Sequence, residues 1–291
     1  MRHWKLPPFP SCPLFLRPTT LHEATQALAE GGQVLAGGTD FFPALGTRPA
    51  TGTLIDVSRI GELRGIHFGS NQIRIGGATT WSEIAAASLP RCFDALRAAA
   101  REVGAVQVQN RGTIAGNLCN ASPAADGVPP LLILDAEVEL ASCSGVRRLP
   151  LKDFIVANRK TRRRPDEILS SVIVSLSLQD APSVFLKLGA RRYLVISIAM
   201  LAALLADDGN GRVGEARIAV GSCSAIAQRL LELERDLAGQ PLRRGLSSLV
   251  RASHLAPLSP IDDVRATATY RRDATLTLVR RALDACVEAQ L

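Results

Sequence analysis

The chain has 291 residues and carries 34 Lys and Arg against 27 Asp and Glu, a formal net charge of +7. Apolar residues make up 47% and charged residues 21%, which excludes a disordered, collagen-like or coiled-coil chain. At about 150 residues per domain, the length predicts two domains or three.

The longest apolar run, Leu194 to Ala206, is shorter than the roughly 20 residues that a membrane-spanning helix needs. The N-terminus holds Pro7, Pro8 and Pro10 and lacks an apolar core, so it does not read as a secretory signal and the chain is expected in the cytoplasm. The six cysteines lie far apart without a C-x-x-C pair, and the four histidines are equally dispersed. That spacing predicts neither a disulfide framework nor a zinc or iron–sulfur site, so any redox cofactor is expected to be organic. The arginines fall in short, separated clusters (162–164, 191–192, 243–244 and 271–272), and aromatics are only 4%. Solvated faces with some anion contacts account for such a charge better than a nucleic-acid surface does. Docking to an acidic partner subunit is a second option.

In chain order, Thr20-Leu21-His22-Glu23 is a capping box that opens a helix to about Glu30. Gln33 to Ala36 and Thr53 to Val57 read as strands around a Gly37-Gly38 turn, an α/β unit. Gln72 to Gly76 alternates like a half-buried strand, Thr80 to Glu83 is a second capping box, and Cys92 to Val103 has a helical period. Gly104 to Asp126 lacks clean periodicity and reads as a long functional loop, after which 131–134 and 137–140 return to regular structure. The polar break Thr161 to Glu167 marks the expected domain boundary. Beyond it, 168–178, 185–188 and 217–220 read as strands, and 227–238 and 270–288 as helices. That order predicts an α+β unit with an antiparallel sheet.

Two glycine-bearing loops could carry chemistry, Ala36 to Asp40 and Thr113 to Asn117, because glycine leaves amides open to phosphate oxygens. Taken singly, each is also an ordinary tight turn. No G-x-G-x-x-G or Walker sequence accompanies them, and no hydrolase or metalloprotease motif is present. Asp126 reads equally as an acceptor for a sugar or ribityl hydroxyl and as a helix N-cap. Lys187, one of four lysines, is either a snorkelling strand residue or a cation beside a bound anion.

The segment Val103 to Asp126 closely resembles the flavin loop of the FAD-binding subunits of molybdenum hydroxylases, the xanthine dehydrogenase and carbon monoxide dehydrogenase family. V-L-A-G-G-T-D-F at Val34 to Phe41 resembles the family's first FAD loop. Glu167-Ile168-Leu169, Lys187 with Arg191-Arg192, and Tyr270-Arg271-Arg272 follow in the family's order. The resemblance implies a two-lobed FAD-binding domain of the vanillyl-alcohol oxidase and para-cresol methylhydroxylase type over 1–165, with lobes of about 1–58 and 59–165. A C-terminal α+β domain over 166–291 would cap the flavin.

By the same resemblance, Val34, Leu35, Ala36, Gly37, Gly38, Thr39, Asp40 and Phe41 would wrap the FAD pyrophosphate. Thr113, Ala115, Gly116 and Asn117 would grip it from the other side. Asp126 would meet a sugar or ribityl hydroxyl, Leu169 and Lys187 would lie by the flavin, and Val103 and Val108 would form apolar wall. Tyr193 would either stack on the ring or face the core. The implied function is electron transfer from an iron–sulfur subunit and a molybdopterin-binding large subunit, through FAD, to NAD+ or another acceptor. The alternative is a stand-alone FAD-dependent reductase on the same fold. Three departures from the family pattern stand out: Ala115 where a glycine is usual, Gln109 where an arginine is common, and Tyr193 where many relatives are acidic. The cysteine-bearing insertion of some aryl-CoA reductase relatives is missing.

Overall fold

The computed structural model describes residues 14–290. The proline-rich start and Cys12 lie outside the described residues.

The first lobe runs β1 (Leu14–Leu16), α1 (Leu21–Ala29), β2 (Gln33–Leu35), α2 (Phe41–Leu45) and β3 (Thr53–Asp56). Its three strands form a parallel sheet in the order β1-β3-β2. Thr20 caps α1 as its sequence requires: its hydroxyl accepts the Glu23 amide while the Glu23 carboxylate accepts the Thr20 amide.

The second lobe contains β4 (Ile66–Phe68), β5 (Gln72–Gly76), α3 (Trp81–Ala86), α4 (Asp94–Glu102), α5 (Val106–Gln109), α6 (Ile114–Asn120) and α7 (Val128–Ile133). It continues with β6 (Glu137–Ser142), β7 (Gly145–Pro150), α8 (Leu151–Phe154), β8 (Ile155–Ala157), β9 (Lys160–Thr161) and β10 (Ile168–Ser175). The main sheet is antiparallel, in the order β4-β5-β10-β6-β7. The stretch expected to be a loop, Gly104 to Asp126, contains α5 and α6, each too short to show a period in sequence.

The boundary expected at 165 falls inside this sheet, because β10 pairs with both β5 and β6 and carries the unit on to Ser175. The polar stretch 161–167 reads as a linker because it is rich in charge. It folds instead around Glu167, whose side chain is 3% exposed. Arg147 donates to both Glu167 carboxylate oxygens at 2.6 and 2.9 Å, and the Arg164 amide donates at 2.7 Å. Burial alone would raise the Glu167 pKa, but these bonds hold it below the ordinary carboxylate value.

The C-terminal unit comprises β11 (Ser183–Leu188), β12 (Ala199–Asp207), β13 (Val213–Gly221), β14 (Gln228–Arg229), α9 (Leu231–Leu237) and α10 (Ala268–Glu288). Its strands form one antiparallel sheet in that order. Strand β12 covers the second half of the apolar run, which the sequence presents without alternation, and ends one residue past it. Both of its faces are buried: Met200, Ala202 and Leu204 enter the core of the second lobe, while Ala199, Leu201, Ala203 and Leu205 pack toward α9 and α10. No described helix is long and apolar enough to cross a membrane.

Two arginines of the C-terminal sheet finish a helix of the second lobe. Arg217 donates to the Ile133 carbonyl at 3.1 Å and Arg229 to the Leu132 carbonyl at 3.2 Å, satisfying the open end of α7. The two units therefore share a core and a helix cap. Leu204→Ala, at the centre of that core, is expected to cost about 2–5 kcal/mol and to leave a single unfolding transition in denaturant. Two separated transitions would show that the units are independent.

Candidate flavin-binding site

The first loop leaves β2 at Leu35 and turns through Gly38 at φ +74, a conformation that a side chain would strain. Among the described residues, the amides of Gly37, Gly38, Thr39 and Asp40 donate to no backbone carbonyl or side chain. They are open donors in a short cradle. Val34, Ala36 and Phe41 are half-buried beside them and Leu35 is buried.

The second loop reaches the same place. A methyl group on Gly37 would overlap the Arg111 carbonyl and come within 2.9 Å of the Gly112 Cα. A methyl group on Gly112 would in turn lie 3.4 Å from the Thr39 hydroxyl. The loops are therefore in backbone contact, across the join between the lobes. Gly37→Ala is expected to push them apart and destabilise the chain by about 1–3 kcal/mol, read by denaturant unfolding.

Four amides of the second loop, those of Ile114 to Asn117, are committed to the fold rather than open to a ligand. The Ile114 and Ala115 amides donate to Thr79 and Gly77 carbonyls, and the Gly116 and Asn117 amides close the cap of α6 onto the Thr113 hydroxyl and carbonyl. What this loop offers is the Thr113 hydroxyl proton, the bare Cα of Gly116 and the Asn117 side chain. The Asn117 Oδ1 is buried with no hydrogen-bond partner among the described residues, a vacant acceptor of the kind a bound ligand satisfies. Ala115 sits in α6 without positive φ, and its methyl faces Gly77, where a methyl group would be only 3.1 Å from it. A glycine lost at 115 is thus matched by one at 77. Gln109 spends its side chain on the Arg101 carbonyl at the end of α4, 2.9 Å away.

Asp126 is no helix cap; Gly127 holds that position. It forms the joint between the second lobe and the C-terminal sheet. Lys187, on β11, donates to its Oδ2 at 2.7 Å and Ser197 to its Oδ1 at 2.9 Å. The side chains of Asp126 and Lys187 are 9% and 7% exposed. Burial pushes the Asp126 carboxyl above its ordinary value, against the pull of Lys187 and Ser197. Lys187 also donates to the Glu102 carbonyl at 3.1 Å. Each Asp126 oxygen keeps a second lone pair for a ligand hydroxyl. Asp126→Ala strands the Lys187 ammonium and is expected to cost about 3–5 kcal/mol in unfolding free energy, with Asp126→Asn recovering part of it.

The remaining expected residues are less open. Leu169 is buried in the core of the second lobe, and Val103 and Val108 are half-buried along α4 and α5. Tyr193 does not face the core. It is 60% exposed, with the Arg192 guanidinium 5.2 Å from its ring centre. A cleft of about 450 Å³ opens beside Lys187, between α4 and the loop after β11, lined by Ala98, Glu102, Phe185, Arg191 and Arg192 among others. Sequence reasoning missed Ser197 and Gly77. Neither belongs to a motif, and only their contacts reveal them.

Residues 9–176 match the profile described as the FAD binding domain in molybdopterin dehydrogenase, and residues 185–286 match the CO dehydrogenase flavoprotein C-terminal domain. This chain belongs to the FAD-binding subunits of the molybdopterin dehydrogenases. It is 31% identical over 283 residues to the xanthine dehydrogenase FAD-binding subunit of Escherichia coli O157:H7, covering 94% of this chain and 95% of that one. It is 34% identical to the nicotinate dehydrogenase FAD-subunit of Eubacterium barkeri, covering 78% and 80% respectively. In structure it is similar to carbon monoxide dehydrogenase from Hydrogenophaga pseudoflava, with a TM-score of 0.86 at 26% identity, over 96% of this chain and 98% of that one. The two-lobed FAD-binding fold and its C-terminal α+β unit follow, with FAD as the cofactor of an oxidoreductase subunit. The open amides of the first loop and the vacant Asn117 acceptor fit a dinucleotide with a charged middle and hydroxyls along its length.

Proposed function

We propose that this chain is the flavoprotein subunit of a three-component molybdenum hydroxylase, receiving electrons from an iron–sulfur subunit and passing them to NAD+ or another acceptor. The observation that carries the reading is the meeting of two loops from different lobes, with unpaired amides on one and an unpaired acceptor on the other. FAD, when bound, supplies the chemistry of exchanging single electrons with clusters and electron pairs with an acceptor.

The residues of this chain bind and orient. Amides of Gly37 to Asp40 meet the pyrophosphate from one side, and the Thr113 hydroxyl and the Gly116 Cα lie opposite. Asn117 and Asp126 accept hydroxyl protons from the ribityl or ribose parts. Lys187 opposes the effect of burial on Asp126, aims its carboxylate, and closes the C-terminal sheet onto the site. The cleft beside Lys187, with Arg191 and Arg192 on its wall, suits an anionic acceptor such as a nicotinamide dinucleotide. The molybdenum cofactor and the clusters are assigned to partner chains, and the substrate is selected there.

The test is FAD titration of the purified full-length chain. The wild type is expected to be yellow and to gain thermal stability with FAD. Gly116→Val, whose side chain enters the phosphate's approach, is expected to lose retained flavin while keeping its fold. Equal flavin content in the two proteins would refute the loop assignment. Turnover of NADH with a small substrate by the isolated chain, with no cluster-bearing partner co-purifying, would mark a stand-alone reductase instead.

A further inference from the structure

We infer that Arg271 is a positioning residue of the flavin cleft, fixing two points, beside the Lys187–Asp126 pair, at which the C-terminal unit grips the loop that ends at Asp126. The inference rests on the flavin reading above. Arg271 lies in the first turns of α10, and at 3% exposure it is among the most buried charged residues described. Its Nη1 donates to the carbonyls of Ile198 and Ser222, and its Nη2 donates to Asp263 Oδ1 at 2.7 Å.

Each of those carbonyls adjoins a contact with the flavin loop. Ile198 follows Ser197, whose hydroxyl holds Asp126, and the Ile198 amide donates to Leu188, the residue after Lys187. Ser222 donates its own amide to the Pro123 carbonyl at 2.9 Å. One guanidinium therefore ties the Ser197 and Ser222 clamps on residues 123–126 together, without touching that loop itself. Ser222 sits at φ +63, a conformation that a non-glycine residue keeps only when its surroundings over-determine it. The Pro123 carbonyl on one side and Arg271 on the other provide that restraint.

The arrangement asks for arginine specifically. Two carbonyls and a carboxylate in different directions match a planar fork, whereas an ammonium is a point donor on a flexible stem. Asp263 is itself held by the Arg265 amide at 2.8 Å and the Arg265 guanidinium at 3.0 Å, so the fork is aimed from outside as well. The role is to set the width of the cleft between Asp126 and the C-terminal sheet, and with it the fit of the flavin.

The experiment is FAD titration of the full-length chain as wild type, Arg271→Met, Arg271→Lys and Asp263→Asn, with melting temperature, visible flavin spectrum and flavin midpoint potential recorded for each. Arg271→Met is expected to weaken FAD roughly tenfold or more, the scale of losing a group that orients a ligand's direct contacts. It should also shift the flavin bands and the potential. Arg271→Lys should recover part of the affinity, and Asp263→Asn should weaken FAD in the same direction to a smaller extent. Leu283→Ala, in the apolar core under the same helix, is the control. It should lower the melting temperature while leaving FAD affinity within about twofold and the spectrum unchanged.

If Arg271→Met does not fold, Arg271→Lys and Asp263→Asn decide. Affinity, spectrum and potential equal to wild type in both would overturn the inference, as would a Leu283→Ala control that weakens FAD as much as they do. A wild type that takes up no FAD sinks the flavin reading and this inference together. A wild type that binds FAD beside variants that bind it equally sinks this inference alone.

Discussion

The site depends on a steric constraint: two loops from separate lobes meet backbone to backbone, and they can do so only where a side chain is missing. A methyl group at Gly37 would overlap the Arg111 carbonyl, and one at Gly112 would press on the Val108 carbonyl and touch the Thr39 hydroxyl. Dispersion and hydrogen bonding fall away steeply once such a contact opens, so the loops either touch or leave a gap for water. Their contact sets the breadth of the cradle. Among the described residues no carbonyl accepts from the amides of the first loop, which leaves them as donors for a ligand.

The third element of the site comes from the other unit, through the Lys187–Asp126 pair. A buried pair of this kind adds little net stability, since desolvation offsets most of the attraction, but it penalises any docking of the sheet that leaves either charge alone. The apolar faces of β12 supply the adhesion, and the pair supplies the registry. Adhesion without registry would let the sheet slide over the lobe. The ion pair makes one position much better than its neighbours.

Local signals in the sequence survive into the structure, whereas distant ones do not announce themselves. The capping boxes at Thr20 and Thr80 are legible because four consecutive residues contain all their chemistry. Both flavin loops are legible as glycine turns, and the family resemblance pairs them. That they touch is illegible, because Gly37 and Arg111 carry no mark distinguishing them from other turn residues. Strand β12 hides because burial on both faces erases its alternation. The run of arginines before Pro165 reads as a solvated linker, whereas in the fold Arg163 and Arg164 bond to Glu167. Lys187 and Asp126 are 61 residues apart, and only the folded chain shows that each is the other's partner.

The arginines that finish α7 bear on how this family diverges. Because Arg217 and Arg229 in the second half terminate a helix encoded in the first, neither half is a complete module, although each matches its own family description. Exchanging C-terminal halves between distant relatives would bring in a foreign helix terminator and a foreign face for β12 at one stroke. Recombination at the natural seam is thus penalised from both sides, and the halves are bound to change together, substitution answering substitution across residues far apart in the chain.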